Sequence, residues 1–157
     1  DENEIIDIVK TQDVLPRSIF LDSTMLPGMK LYEGNTRQGW ATIDKSAGHI
    51  DQLYDIRLKF IDHQSALAFH RKFLTINSEG GPEIKDHHLN YAGADELIVF
   101  GTPAQAVKML ESEHLRIFCI VMVVDKYFVK LFINCNDKYE VAKFQPMVTE
   151  IIRRIKK

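Results

Sequence analysis

The stretch that decides the fold is "IFCIVMVVDKYFVKLFI", Ile117 to Ile133. Two runs rich in β-branched and aromatic residues flank Asp125–Lys126. Each is strand-sized and well short of a membrane helix. A two-residue turn at Asp125–Lys126 sets the register of the hairpin. Val124 then faces Tyr127, Met122 faces Val129, Ile120 faces Leu131 and Phe118 faces Ile133. Since side chains alternate along a strand, this set forms one dense apolar face, the natural core side. The opposite face carries Ile117, Cys119, Val121, Val123, Phe128 and Phe132, with Lys130 and Asn134 among them. It is too apolar to lie bare against water. Two readings stand. In the first, the N-terminal segment or a neighbouring loop covers it and the strands sit centrally in the sheet. In the second, it lines a groove for a lipid-like ligand or a partner protein, with Phe128, Lys130 and Phe132 as contact residues. The same register puts Cys119 and Cys135 on opposite faces, which predicts two thiols and no disulfide between them.

Upstream, "LYDIRLKFI" from Leu53 alternates with period two. Tyr54, Ile56, Leu58 and Phe60 are expected on a buried face, with Asp55, Arg57 and Lys59 on a wet one. Period two then gives way to helical spacing in "DHQSALAFHRKFLTINSEGG". Ala66, Phe69, Phe73 and Ile76 recur at three- and four-residue intervals, and Leu67 and Leu74 widen the stripe. Asp62 is placed to cap the start and Gly80–Gly81 to end the helix. "ELIVFG" reads as a strand and "TPAQAVKML" as a short helix capped by Thr102, with Pro103 in its first turn and Gln105 completing a capping box. A closing helix puts Phe144, Val148, Ile151, Ile152 and Ile155 on one stripe, with Pro146 in its first turn or at a kink. Arg153, Arg154, Lys156 and Lys157 crowd its end, where cations suit the dipole.

The first 52 residues are less regular. "EIIDIVK" is a short periodic piece, and "GMKLYEG" with "GWATIDK" suggests a hairpin about Gly34–Asn35. Trp40 is a packing residue or, alternatively, an exposed aromatic anchor for a ligand. At 157 residues the chain fits one domain, with a regular part over residues 53–157. The order of elements predicts an α+β fold, a mainly antiparallel sheet with helices packed on it, two-layer or an α/β/α sandwich. A net charge of −2 argues against nucleic acid as the main partner. The chain opens "DENEIIDIVK" without an initiator methionine, which fits export after cleavage of a leader, with a cytoplasmic setting as the alternative.

"GADELIVFG", then "DKYFVKLFI", then the amphipathic closing helix resembles the C-terminal half of PsbP-like domains and related exported bacterial sensor and lipoprotein domains. "LYDIRLKF" leading into "SALAFHRKF" is compatible with that topology. The resemblance covers Leu53 to Lys157 and implies an exported, non-catalytic binding module, and it carries over no functional residue.

Chemistry has one dense candidate. In "IKDHHLNYAGADE", Asp86 and His88 converge if the segment is extended, whereas His87 points away. A metal or acid–base site there needs a third group, with Glu83 or Glu96 nearest. The bland reading is a polar connection with a turn at Ala92–Gly93. His63 and His70 sit about 10 Å apart along a helix axis, too far to share a metal, and His70 reads as solvated beside Arg71 and Lys72. The sequence holds no HExxH, CxxC, P-loop or nucleophile elbow. It leads to a non-enzymatic binding or interaction module for an unknown protein or small apolar ligand, without a cofactor. The alternative is a small hydrolase-like enzyme centred on Asp86 and His88.

Overall fold

A computed structural model describes residues 15–26, 29–33, 37–42, 50–76, 81–101, 115–136 and 140–157. "EIIDIVK", the "TPAQAVKML" helix and the Gly34–Asn35 connection lie outside the described residues, as does Gly80. Among the described residues six strands form one antiparallel sheet: β1 (Met29–Glu33), β2 (Arg37–Thr42), β3 (Ile50–Lys59), β4 (Asp95–Gly101), β5 (Leu115–Val124) and β6 (Tyr127–Asn136). Their spatial order is β1-β2-β3-β6-β5-β4. The N-terminal third therefore extends the regular sheet, β1 and β2 pairing antiparallel from Glu33↔Gln38 to Met29↔Thr42.

The β5–β6 register is the one the two-residue turn dictates, with Val124↔Tyr127, Met122↔Val129, Ile120↔Leu131 and Phe118↔Ile133. Asp125 takes a positive φ of 52°, the backbone sign that tight hairpin turns demand. The hairpin strands lie inside the sheet, between β3 and the edge strand β4. After β3 the chain crosses one face as helix α1 (His63–Ile76), reaches the far edge as β4, and returns as β5 and β6. Helix α1 accordingly lies over β5 and β6. Asp62 Oδ1 accepts the Ser65 amide at 2.7 Å and caps its start.

Helix α2 (Gln145–Ile155), preceded by a 3-10 turn at Val141–Phe144, covers the opposite face. Pro146 lies in its first turn, where the missing amide costs nothing. Phe144, Val148, Ile151 and Ile152 are buried against Phe118, Ile120, Met122, Val129, Leu131 and Ile133. The irregular segment 15–26 packs into the same core through Leu15, Ile19, Phe20, Leu21 and Leu26. Layers α1, sheet and α2 make an α/β/α arrangement of an α+β domain. Among the described residues no helix is long and apolar enough to cross a membrane.

Strand β3 alternates as expected and Phe60 just beyond it is buried as expected, but the face expected to be wet is the more deeply buried one at Asp55 and Arg57. Asp55 and Arg57 are fully buried at 0 %, while Tyr54, Ile56 and Leu58 are half-buried. The pair faces the α2 side, opposite Leu131 and Val129. Burial is tolerable because residues two apart on a strand share a face and neutralise each other. Arg57 Nε donates to Asp55 Oδ1, Arg57 Nη2 donates to Oδ2 at 2.9 Å, and the Leu21 amide donates to Oδ2 at 3.0 Å. The Phe20 ring lies 5.4 Å from the guanidinium carbon. Period two identified the strand. Deciding which face was wet needed knowledge of the segment that lies on it.

Candidate functional site

The apolar back of the hairpin is where the sequence placed its contact residues, and helix α1 occupies much of it. Phe60, Ala66 and Phe69 pack with Cys119, Val121, Val123 and Phe128, so among the described residues the cover is α1. Three aromatic contacts to Phe128 hold the helix down. Phe69 meets it edge-on at 4.9 Å, Phe73 at 5.1 Å, and His70 at 6.1 Å. Beside the helix the face is less deeply covered. Tyr54, Ile56, Ile117, Phe132 and Asn134 are all half-buried. Tyr54 and Phe132 are cross-strand partners with rings 6.4 Å apart. Lys130, paired with Ile56, is buried along its stem and sets its ammonium 5.1 Å from the centre of the Phe73 ring. Of the expected contact residues, Phe128 is sealed beneath α1, while Lys130 and Phe132 border the helix. Trp40 pairs through its backbone with Leu31 and Leu53 on β2. The two thiols mark opposite faces, Cys119 beneath α1 and Cys135 in the α2 core. Burial pushes the Cys135 thiol up to about 12.

One edge of α1 is tied to the sheet by a line of titratable groups. Strand β4 carries a register shift between Asp95 and Ile98, and Glu96 within it has φ of 51°. Such a bulge re-aims side chains, and an L-residue with this φ is held there by its surroundings. Glu96 receives Arg71 through both carboxylate oxygens, with Nε at 3.0 and 3.3 Å and Nη2 at 2.5 Å. Its Oε2 lies 3.7 Å from Nε2 of His70, whose imidazole is fully buried. Neither ring nitrogen of His70 has a hydrogen bond of good geometry, and the Glu96 backbone also faces the ring. Further along, His63 Nδ1 sits 2.7 Å from the Asp125 carbonyl, and its Nε2 lies 3.5 Å from Asp95 Oδ2. Desolvation lowers the pKa of His70, partly opposed by the Glu96 charge. The Arg71 hydrogen bonds lower that of Glu96.

His70 is thus buried at a helix–sheet seam and not solvated. Its signal was legible: Ala66, Phe69, His70 and Phe73 fall at i, i+3, i+4 and i+7, the full width of an apolar stripe. Reading histidine as polar hid it. The role of Glu96 had no such signal, because it depends on a positive φ inside a strand.

The Asp86–His88 pair is not assembled into a site among the described residues. Asp86 and His88 are both exposed, and His88 has φ of 55°, which ends the extended geometry that would align them. His87 turns back locally, its Nδ1 accepting the Leu89 amide at 2.9 Å. Glu96, one of the two groups named as a third ligand, is committed to α1. No group of three or more His, Cys, Asp and Glu side chains able to hold a metal occurs among the described residues. The segment instead connects. Ile84 N donates to Val99 O at 2.7 Å, Gln145 exchanges hydrogen bonds with the Asn90 backbone at 2.7 and 2.8 Å, and the 91–94 turn closes over Ala92–Gly93 at 2.8 Å.

A shallow cleft of about 510 Å³ lies between Ser18–Ile19 and the end of α2, lined by Arg153, Arg154, Ile155 and Lys157. Its arginines are engaged. Arg154 donates to Glu150, to the Phe20 carbonyl and to Asp22, and Arg153 donates to Glu150. Comparison of the chain with family models, with curated proteins and with solved structures returns no match.

Proposed function

We propose that this chain is a non-enzymatic binding or protein-interaction module, and that it works through the α1 side of its sheet. The observation that supports this most is the half-buried strip of Tyr54, Ile56 and Phe132 beside α1, bordered by the Lys130 ammonium. Aromatic and aliphatic side chains carried on paired strands hold their geometry without a ligand, so binding orders little of the protein. A nearby cation gives such a strip orientation preference, which suits the apolar residues of a partner protein or a small apolar ligand with an acidic end. The resemblance of residues 53–157 to PsbP-like and related exported domains points the same way, toward a binding role outside the cytoplasm.

Titration with an anionic apolar dye such as anilinonaphthalene sulfonate tests the reading. Saturable binding that weakens about tenfold in a Tyr54→Ser/Phe132→Ser double variant is expected, a loss of about 1.4 kcal/mol. Equal binding by the double variant and the wild type would remove this face as the site.

A further inference from the structure

We propose that helix α1 is an acid-released cover, latched to strand β4 through the His70–Glu96–Arg71 junction and shielding the Cys119–Val121–Phe128 part of the apolar face. As regulation of binding this rests on the function proposed above, whereas as a property of the helix it stands by itself.

The geometry sets the latch at one seam. His70 enters with neither ring nitrogen in a hydrogen bond of good geometry, and Glu96 faces it through both its backbone and its carboxylate, the latter at 3.7 Å. Glu96 is held in left-handed backbone within a bulge, so the contact with α1 is what its unusual conformation serves. The groups facing the imidazole are Glu96 from β4, Arg71 from its own helix, and the uncharged Phe128 ring from β6. Beyond them along the seam stand His63, Asp95 and the Asp125 carbonyl, with Lys130 over Phe73 on the other side of the helix axis.

Protonation acts on this junction in one direction. Desolvation depresses the His70 pKa in the docked state, so the released helix binds the proton more readily. His70 therefore contributes docking stability that is complete above its ordinary value of 6.5 and is lost as pH falls below it. Glu96, also depressed, contributes stability that is lost below its ordinary value of 4.5. The Glu96 charge softens the first step by favouring imidazolium, but desolvation is the larger influence on His70. Acidification loosens α1 at both steps.

The two thiols supply the readout, since Cys119 lies under α1 and Cys135 in the opposite core. The full chain is labelled with 4,4′-dithiodipyridine at about pH 7.5 and about pH 5, and modification at each cysteine is followed by peptide mass. Because both thiols feel the same reagent, their ratio isolates local opening from the chemistry of labelling. Cys119 modification should rise at least about threefold relative to Cys135 on acidification. His70→Phe should flatten that rise, and Glu96→Gln should raise the ratio already at neutral pH. The Glu96 variant decides the matter if the His70 variant does not fold. A ratio unchanged with pH, a parallel rise at both cysteines, or a neutral Glu96→Gln overturns the cover. No ligand enters the measurement, so its failure is distinct from failure of the dye titration.

Discussion

The two faces of the sheet are held by different physics. On the α2 side, the charge is buried and self-paired. Asp55 and Arg57 neutralise each other beneath Phe20 and Leu21, and Arg154 staples the overlying segment through the Phe20 carbonyl and Asp22 at 2.8 and 2.6 Å. On the α1 side the apolar contact is flanked by the His70 imidazole and the Glu96 carboxylate, 3.7 Å apart. One side is sealed by an ion pair whose two partners are fully buried together. The other is closed at His70 and Glu96, whose pKa values are both lowered, the first by desolvation and the second by the Arg71 hydrogen bonds. Helix coverage alone does not make two faces equivalent; the protonation behaviour of the groups at the seam decides which yields first.

The sharpest way to break the sealed side is Arg57→Ala. It leaves the Asp55 carboxylate buried without its partner, and urea denaturation should show a loss of about 3–5 kcal/mol. An Asp55→Leu/Arg57→Met double variant should recover much of this, since removing both charges removes the desolvation problem. If the double variant is as unstable as the single, the pair contributes more than mutual neutralisation.

Next in size is Ala66→Leu, aimed at the other face. Ala66 is buried at the contact of α1 with the sheet, and the added bulk should cost about 1–3 kcal/mol. Thiol labelling should show Cys119 exposed well before Cys135. Equal exposure of both would mean that the two faces unfold together.

Gly93→Ala tests the α2 side more gently. Gly93 has φ of 96°, and an added Cβ would come within 3.1 Å of Ile152 Cγ2. Thermal unfolding should report a loss of about 1 kcal/mol, with no change in the Cys119 to Cys135 labelling ratio.

The smallest effect separates the faces by pH. Hydrogen bonds from Thr24 and Arg154 hold Asp22 at about 2, and Arg153 and Arg154 hold Glu150 at about 2. Both values are depressed, so these ties contribute above the ordinary carboxylate range and are lost only as pH falls toward 2. Their solvent exposure keeps the contribution small and salt-sensitive. Amide exchange in α2 should therefore stay protected to lower pH than exchange in α1, which should begin to lose protection below pH 6.5. The reverse order would contradict the latch.

Much of this architecture was legible because it follows from local periodicity. The 117–133 stretch yields both strands, the turn and the register, and the register separates Cys119 from Cys135. Helix α1 follows from Asp62 and its apolar spacing, and α2 from Phe144 to Ile155 with Pro146 at its start. Less of the site was legible. Phe132 and Lys130 were placed on the right face, but what covers Phe128 was not, since nothing in a strand names the helix that crosses it. Asp86 and His88 drew attention by density alone, and the turn at His88 undoes their alignment.

The sequence by itself determined the strands, the two main helices and the hairpin register, because alternation, capping and turn chemistry act between neighbours. Tertiary structure decided the rest. It buried Asp55 and Arg57 where alternation alone suggested water, since the Leu21 amide and Phe20 ring that meet them are distant in sequence. It also brought His70 and Arg71 against Glu96, 25 to 26 residues further along, through a bulge and a positive φ that no spacing rule encodes. Charge placement depends on what folds over it, and that is a property of the whole chain.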